Sequence, residues 1–141
     1  MKKIFLTFAC SLALMGLANA DLASDSAADS VYDDGWQDQD NGGYGFGGWA
    51  FGGNAAGRSG VQSSTVNGGS ASIDSGGRSF YLSDSDDSGS YIDVFRYLAA
   101  DLQVGETFSL DMDVNWREGY KGIRVRGTDD STAIFGFEAS T

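Results

Sequence analysis

Thr107-Phe108-Ser109-Leu110-Asp111-Met112-Asp113-Val114-Asn115-Trp116 decides the reading of this chain. Phe108, Leu110, Met112, Val114 and Trp116 take every second place, and Thr107, Ser109, Asp111, Asp113 and Asn115 take the others. A strand sends successive side chains to opposite faces, so the run predicts one apolar face and one wet, acidic face. A helix would scatter the five apolar groups around its circumference. Burying each large apolar side chain is worth roughly 1.5–3 kcal/mol, so the rest of the chain is expected to cover that face.

Working outward, short strands and Gly/Asn/Asp turns alternate, with almost no helical pattern. Ala133 to Glu138 aligns Ala133, Phe135 and Phe137, and Ile123 to Gly127 places Ile123 and Val125 on one face and Arg124 and Arg126 on the other. Those arginines are placed to pair with the acidic face of residues 107–115. Tyr91 to Leu98 carries bulk on both faces, Ile92, Val94 and Leu98 against Tyr91, Phe95 and Tyr97, which predicts a central strand covered on both sides. Ala99 to Val104 suits one short helical turn. Ser79 to Ser83 and Val61 to Val66 are short strand candidates, with Asn67-Gly68-Gly69 and Ser75-Gly76-Gly77 as turns. Between Asn41 and Asn54, Tyr44/Phe46 and Trp49/Phe51 form two alternating pairs separated by Gly47-Gly48, a strand whose phase slips at the double glycine. Glycines there also let another backbone or a flat ligand come close; a low-complexity Gly/aromatic tail is the rival reading. Val31-Tyr32 is a weak strand signal. The expected fold is all-β, an antiparallel β-sandwich or jelly roll. The chain stops three residues after the apolar strand at 133–138, so the sandwich reads as incomplete at its C-terminal side, with an edge open to a partner.

The first twenty residues read as a bacterial-type secretory signal peptide. Lys2 and Lys3 give a positive start, the apolar run from Ile4 to Leu17 is short for a membrane span, and Ala18-Asn19-Ala20 is a small-x-small cleavage site. Cleavage between Ala20 and Asp21 would make the product extracellular or periplasmic; a lipoprotein anchored at Cys10 is the rival. Residues 21–30, small and polar, read as a flexible leader, and residues 31–141 as the β-sandwich domain. Removing the signal leaves 121 residues, enough for one domain, and since both lysines leave with it the formal charge moves from −11 to −13. Such a chain repels nucleic acid and anionic membranes, and no stretch after the signal is apolar enough to span a bilayer. Cys10 leaves too, and the chain has no histidine or proline. The usual general base, the usual zinc ligand and the Ser-His-Asp arrangement are therefore excluded.

The motifs in order are Asn41-Gly42-Gly43, Gly45-Phe46-Gly47-Gly48-Trp49, Ile73-Asp74-Ser75-Gly76-Gly77-Arg78-Ser79-Phe80 and Val104-Gly105-Glu106-Thr107-Phe108-Ser109-Leu110-Asp111-Met112-Asp113. Over residues 31–138 this order resembles the N-terminal half of a module found in secreted and surface proteins of bacteria, with the pattern NGG-x-GFG-x-W, ID-x-x-G-[KR]-S and VG-[EQ]-TF-S-[IL]-DMD. The resemblance implies a concanavalin A-like or jelly-roll sandwich in an extracellular protein, and no established reaction. Two departures count: the family follows DMD with Asn-Gly-Trp where this chain has Val114-Asn115-Trp116, and the family module is longer, so a site made by its second half would be missing.

Candidate chemistry is sparse. Asp84-x-Asp86-x-Ser88-Gly89 resembles the first half of a calcium loop, but the twelfth place is Phe95 rather than Glu and no helices flank it. An irregular Ca2+ site at Asp84, Asp86 and Ser88 is one expectation, and a plain acidic turn the other. Asp111 and Asp113 lie on the wet face where sugar-cleaving sandwiches carry carboxylates, but the third, acidic place is absent, so no catalytic residues are expected. Trp36, Tyr44 and Tyr120, with Asp111 and Asp113, are the candidate ligand contacts, because aromatic faces stack on the apolar C–H faces of sugars. Trp49 and Trp116 keep phase with the core. Two readings follow: a secreted non-catalytic module binding extracellular polysaccharide or a cell-surface component, or a structural protein assembling through an uncovered edge strand.

Overall fold

The computed structural model describes residues 21–54, 58–83, 89–115, 119–128 and 132–139. They form six strands: β1 Ala50–Gly53, β2 Arg58–Gln62, β3 Ser79–Ser83, β4 Ile92–Phe95, β5 Lys121–Arg126 and β6 Ala133–Ala139. Three short 3-10 helices, Ser30–Tyr32, Ser64–Asn67 and Ala71–Ile73, are the helical content of the described residues. The strands pair antiparallel as β1 with β4, β2 with β3 and β5 with β6, giving three two-stranded sheets. The all-β, antiparallel character expected from the sequence is present.

Side-chain fit sets the local registers. In the β2–β3 pair Gly60 stands opposite Tyr81 and Val61 opposite Phe80. A Cβ at Gly60 would lie 2.8 Å from the Tyr81 ring, so the missing side chain lets the ring lie across the neighbouring strand. In the β1–β4 pair Phe51 stands opposite Val94, and both point inward. After the Ser64–Asn67 helix, Gly68 at φ 81° caps the turn expected from Asn67-Gly68-Gly69.

The core is an aromatic cluster built from the N-terminal half. Tyr32 and Trp36 are 1% and 6% exposed, and Ala27 is buried as well. Trp36 meets Trp49 edge-on at 4.9 Å between centroids, Phe51 at 5.1 Å and Phe80 at 4.5 Å. Tyr32 meets Phe80 edge-on at 4.9 Å. Such pairs add about 0.5–1.5 kcal/mol each beyond the area they bury.

Five expectations are corrected. Residues 107–115 form no ladder among the described residues; Trp116 lies outside them. The side chains of the wet face instead tie the stretch to the 67–70 loop, where Ser70 N donates to Asp113 Oδ2 at 2.6 Å and Asn115 Nδ2 donates to Asn67 O at 2.7 Å. Phe108, Leu110 and Met112 consequently stay exposed. Residues 21–30 are no loose leader: Ser24 and Tyr44 exchange backbone hydrogen bonds of 3.0 and 2.9 Å, and Ala27 is buried. Val31-Tyr32 belongs to a 3-10 helix, because its turn brings Tyr32 into the core. Finally, β4 is covered on one face only, and residues 99–104 form no helical turn.

Candidate functional site

The glycine-rich tract is where the N-terminal segment docks. At Gly43, with φ 66°, an added Cβ would lie 1.8 Å from Ser24 O; at Gly45, with φ 76°, it would lie 2.2 Å from Leu22 O. Residues 22–25 thus pass directly over backbone that only glycine can offer. They deliver Asp25 to Arg96, an ion pair whose side chains are 9% and 5% exposed. Arg96 also donates to Asn41 Oδ1 at 2.6 Å and to Gly47 O at 2.8 and 3.0 Å, and its guanidinium lies over Phe46 at 4.4 Å and Trp49 at 4.7 Å. The Tyr32 hydroxyl donates to Asp25 Oδ2 at 2.7 Å and accepts from Gly42 N at 3.1 Å and Trp49 Nε1 at 3.0 Å. Burial, then the bond to Asp25, pushes the Tyr32 phenol above its ordinary value. The Asp25, Tyr32 and Arg96 side chains are enclosed and bonded to one another in this network, so it holds the scaffold.

What it holds is β4. Arg96 and Val94 face inward, so Tyr91, Asp93, Phe95 and Tyr97 share the outer face. The three rings are 53%, 47% and 60% exposed. Phe95 and Tyr97 meet edge-on at 5.9 Å. At the usual strand rise the row from Tyr91 to Tyr97 spans roughly 20 Å. Across the ladder Phe95 is paired with Ala50 and Asp93 with Gly52, so the neighbouring strand contributes only a methyl group and a bare backbone to that face. The rings are left uncovered from that side. Aromatic faces with a carboxylate in line can stack on apolar C–H faces and accept hydrogen bonds from hydroxyls.

The residues expected from the sequence fall elsewhere. Trp36 is a core residue, which withdraws it as a ligand contact; its indole nitrogen is buried without a hydrogen-bond partner. Tyr44 is half exposed beside Ser24, and Tyr120 is exposed just before β5. Asp111 and Asp113 are exposed on the 107–115 stretch, Asp113 bound to Ser70 N. Asp84, Asp86 and Ser88 lie outside the described residues. Among the described residues no group of three or more metal-ligating side chains converges, and no helix is long and apolar enough to cross a membrane. The outer row of β4 was legible in one detail: Asp93 shares the phase of Tyr91, Phe95 and Tyr97, and a carboxylate on a face expected to be buried marks that face as wet.

A second feature lies at the β5–β6 hairpin. Ile134, Phe135 and Phe137 are 70%, 58% and 53% exposed. With Val125 and the 102–108 segment, contributing Leu102, Glu106 and Phe108, Ile134 and Phe135 line an open cleft of about 350 Å³.

Comparison with family models, curated proteins and solved structures returned no match to this chain.

Proposed function

We propose that this protein is a secreted, non-catalytic β-rich module that binds neutral polysaccharide in the extracellular space or at the cell surface, through the outer face of β4. The observation that carries the reading is the exposed row Tyr91, Asp93, Phe95, Tyr97, held against an aromatic core and left open by Ala50 and Gly52. The signal-like residues 1–20 support export. The formal charge of −11 favours neutral over polyanionic chains. The absence of histidine and of a third carboxylate beside Asp111 and Asp113 supports a binding role over a hydrolytic one. A sandwich or jelly roll of the bacterial surface-module type is the architecture proposed for the complete fold, with Asp84, Asp86 and Ser88 as its candidate calcium contacts.

Affinity electrophoresis through gels containing neutral polysaccharides tests the reading. Retardation by at least one of them is expected, weakened about 3–10-fold by Phe95→Ala or Tyr97→Ala, the equivalent of one lost aromatic stack. Trp36→Phe, placed in the core, is expected to lower the melting temperature without the same selective loss. Equal retardation of the unmodified chain and the β4 variants would sink the proposal. A second reading, assembly of a structural protein, rests on the apolar side chains left exposed on β6.

A further inference from the structure

We propose that Asn67 is a site of spontaneous deamidation, and that its isoaspartyl product releases residues 107–115 from the 67–70 loop. Five asparagines occur in the chain, and two of them, Asn41 and Asn67, are followed by glycine. Glycine favours this chemistry because it has no Cβ to hinder attack by its own backbone nitrogen. At residue 67 the Gly68 nitrogen bonds to Asn67 Cγ, the bond from Cγ to the side-chain amide nitrogen breaks, and the proton lost from Gly68 leaves with the ammonia. Water then opens the cyclic succinimide at either carbonyl, giving aspartate or isoaspartate.

The fold treats the two pairs oppositely. Gly42 is buried, its N–H donates to the Tyr32 hydroxyl at 3.1 Å, and a Cβ there would lie 2.5 Å from the Tyr32 ring and 2.7 Å from Asp25 Oδ1. Arg96 holds the Asn41 amide at 2.6 Å. Ring closure at that pair needs room the core does not give, and the Asp25 carboxylate opposes an anionic nitrogen beside it. Asn67 and Gly68 are both exposed, and outside its chain neighbours no atom lies within 4 Å of where a Gly68 Cβ would be. The Asn67 side chain has no hydrogen-bond partner among the described residues. Gly68 N donates to Thr65 O at 3.1 Å, a bond at the exposed end of a four-residue 3-10 helix, where helices fray.

The reaction strikes a carbonyl that holds the next segment. Asn67 O accepts from Asn115 Nδ2 at 2.7 Å, and Ser70 N donates to Asp113 Oδ2 at 2.6 Å. In isoaspartate the chain runs on through the side-chain carbons, so that carbonyl becomes a free carboxylate and one extra atom enters the main chain. The left-handed turn at Gly68, φ 81°, and the bond from Gly69 N to Ser64 O at 3.0 Å lose their spacing. The new carboxylate sits on the loop that Asp113 touches, where a Cβ at Gly69 would lie 3.1 Å from Asp113 Oδ2, and like charges repel. With the acceptor of Asn115 displaced and Asp113 repelled, both ties weaken together. The outer face of β4 takes no part.

Incubation of the purified full chain at mildly alkaline pH, followed by tryptic mapping, tests the site. Asn67 falls in the peptide 59–78 and Asn41 in the one ending at Arg58, so mass spectrometry with fragmentation reads them separately. In the folded chain Asn67 is expected to deamidate at least about tenfold faster than Asn41, and in denaturant the two rates should converge. In the isoaspartyl fraction the Ser70 amide should exchange with solvent at least about fivefold faster than before. Asn67→Ser, incubated alike, should keep its mass over residues 59–78 and its Ser70 protection. Equal rates at Asn41 and Asn67 in the folded chain overturn the site. Unchanged Ser70 exchange in the isoaspartyl fraction, or the same loss of protection in Asn67→Ser, overturns the release.

Discussion

Removing either partner of the Asp25–Arg96 pair would leave a charge sealed in protein with no counterion. The expected cost is about 3–5 kcal/mol for Asp25→Ala or Arg96→Ala, read from denaturant midpoints. Arg96→Lys should recover little of it, because a lysine cannot reach Asp25, Asn41 and Gly47 O together while lying flat on Phe46 and Trp49. Tyr32→Phe deletes a hydroxyl that serves Asp25, Gly42 N and Trp49 Nε1, and leaves buried groups unpaired at roughly 1–3 kcal/mol. The same hydroxyl sets an alkaline limit. Its folded value is raised above 10.0, so its contribution is complete below 10.0 and fades as pH rises through the folded value. A tyrosinate absorbance step above 10.0, missing in Tyr32→Phe, is the expected signature. Asp74 sets the opposite limit for one loop. A hydrogen bond from Ser64 N, helped by the Ser63 hydroxyl, holds its carboxyl below the ordinary 3.8. The contribution is therefore present above 3.8 and is lost as pH falls through the lower folded value. The Ser64 amide resonance should titrate with an inflection below 3.8, and Asp74→Asn should abolish it.

Among the elements, those whose pattern is closed locally were the legible ones. Ser79–Ser83 is the strand its alternation promised, β5 and β6 fall within a residue or two of expectation, and Gly68 takes the turn that Asn67-Gly68-Gly69 announced. Alternation says which side chains would share a face, but not whether a second strand arrives to pair. Residues 107–115 have the cleanest pattern in the chain, and side-chain bonds from Asp113 and Asn115 hold them on a loop instead. The candidate site suffered the same limit, since β4 offered bulk on both faces and only the absence of a covering layer exposes Tyr91, Phe95 and Tyr97. Residues 22–25 carry no hydrophobic periodicity, and their place is written in the glycines they cross. Gly43→Ala is accordingly expected to cost at least ~1–3 kcal/mol, from the left-handed backbone and the clash with Ser24 O together. The matching loss of hydrogen-exchange protection at Ser24 and Tyr44, with the β2–β3 amides unaffected, would locate the damage.

At the scale of the whole molecule, order is distributed unevenly. The aromatic cluster, the buried ion pair and the β1–β4 and β2–β3 ladders all draw on residues 24–98. After Leu98 the buried groups cease among the described residues, and the 107–115 stretch is tied back to the core half by the side-chain bonds from Asp113 and Asn115 to the 67–70 loop. Regions with few buried contacts open at low free energy, well below global unfolding. Limited proteolysis of the full chain should therefore cut first between Ala99 and Asn115, where the backbone is exposed and outside any ladder. The large fragment ending there should keep the near-UV circular dichroism of the Trp36, Trp49 and Phe80 cluster, because each of those rings lies upstream of the cut. Cleavage that begins inside residues 24–54, or that abolishes the aromatic signal at the first cut, would show that the C-terminal half carries the core rather than resting on it.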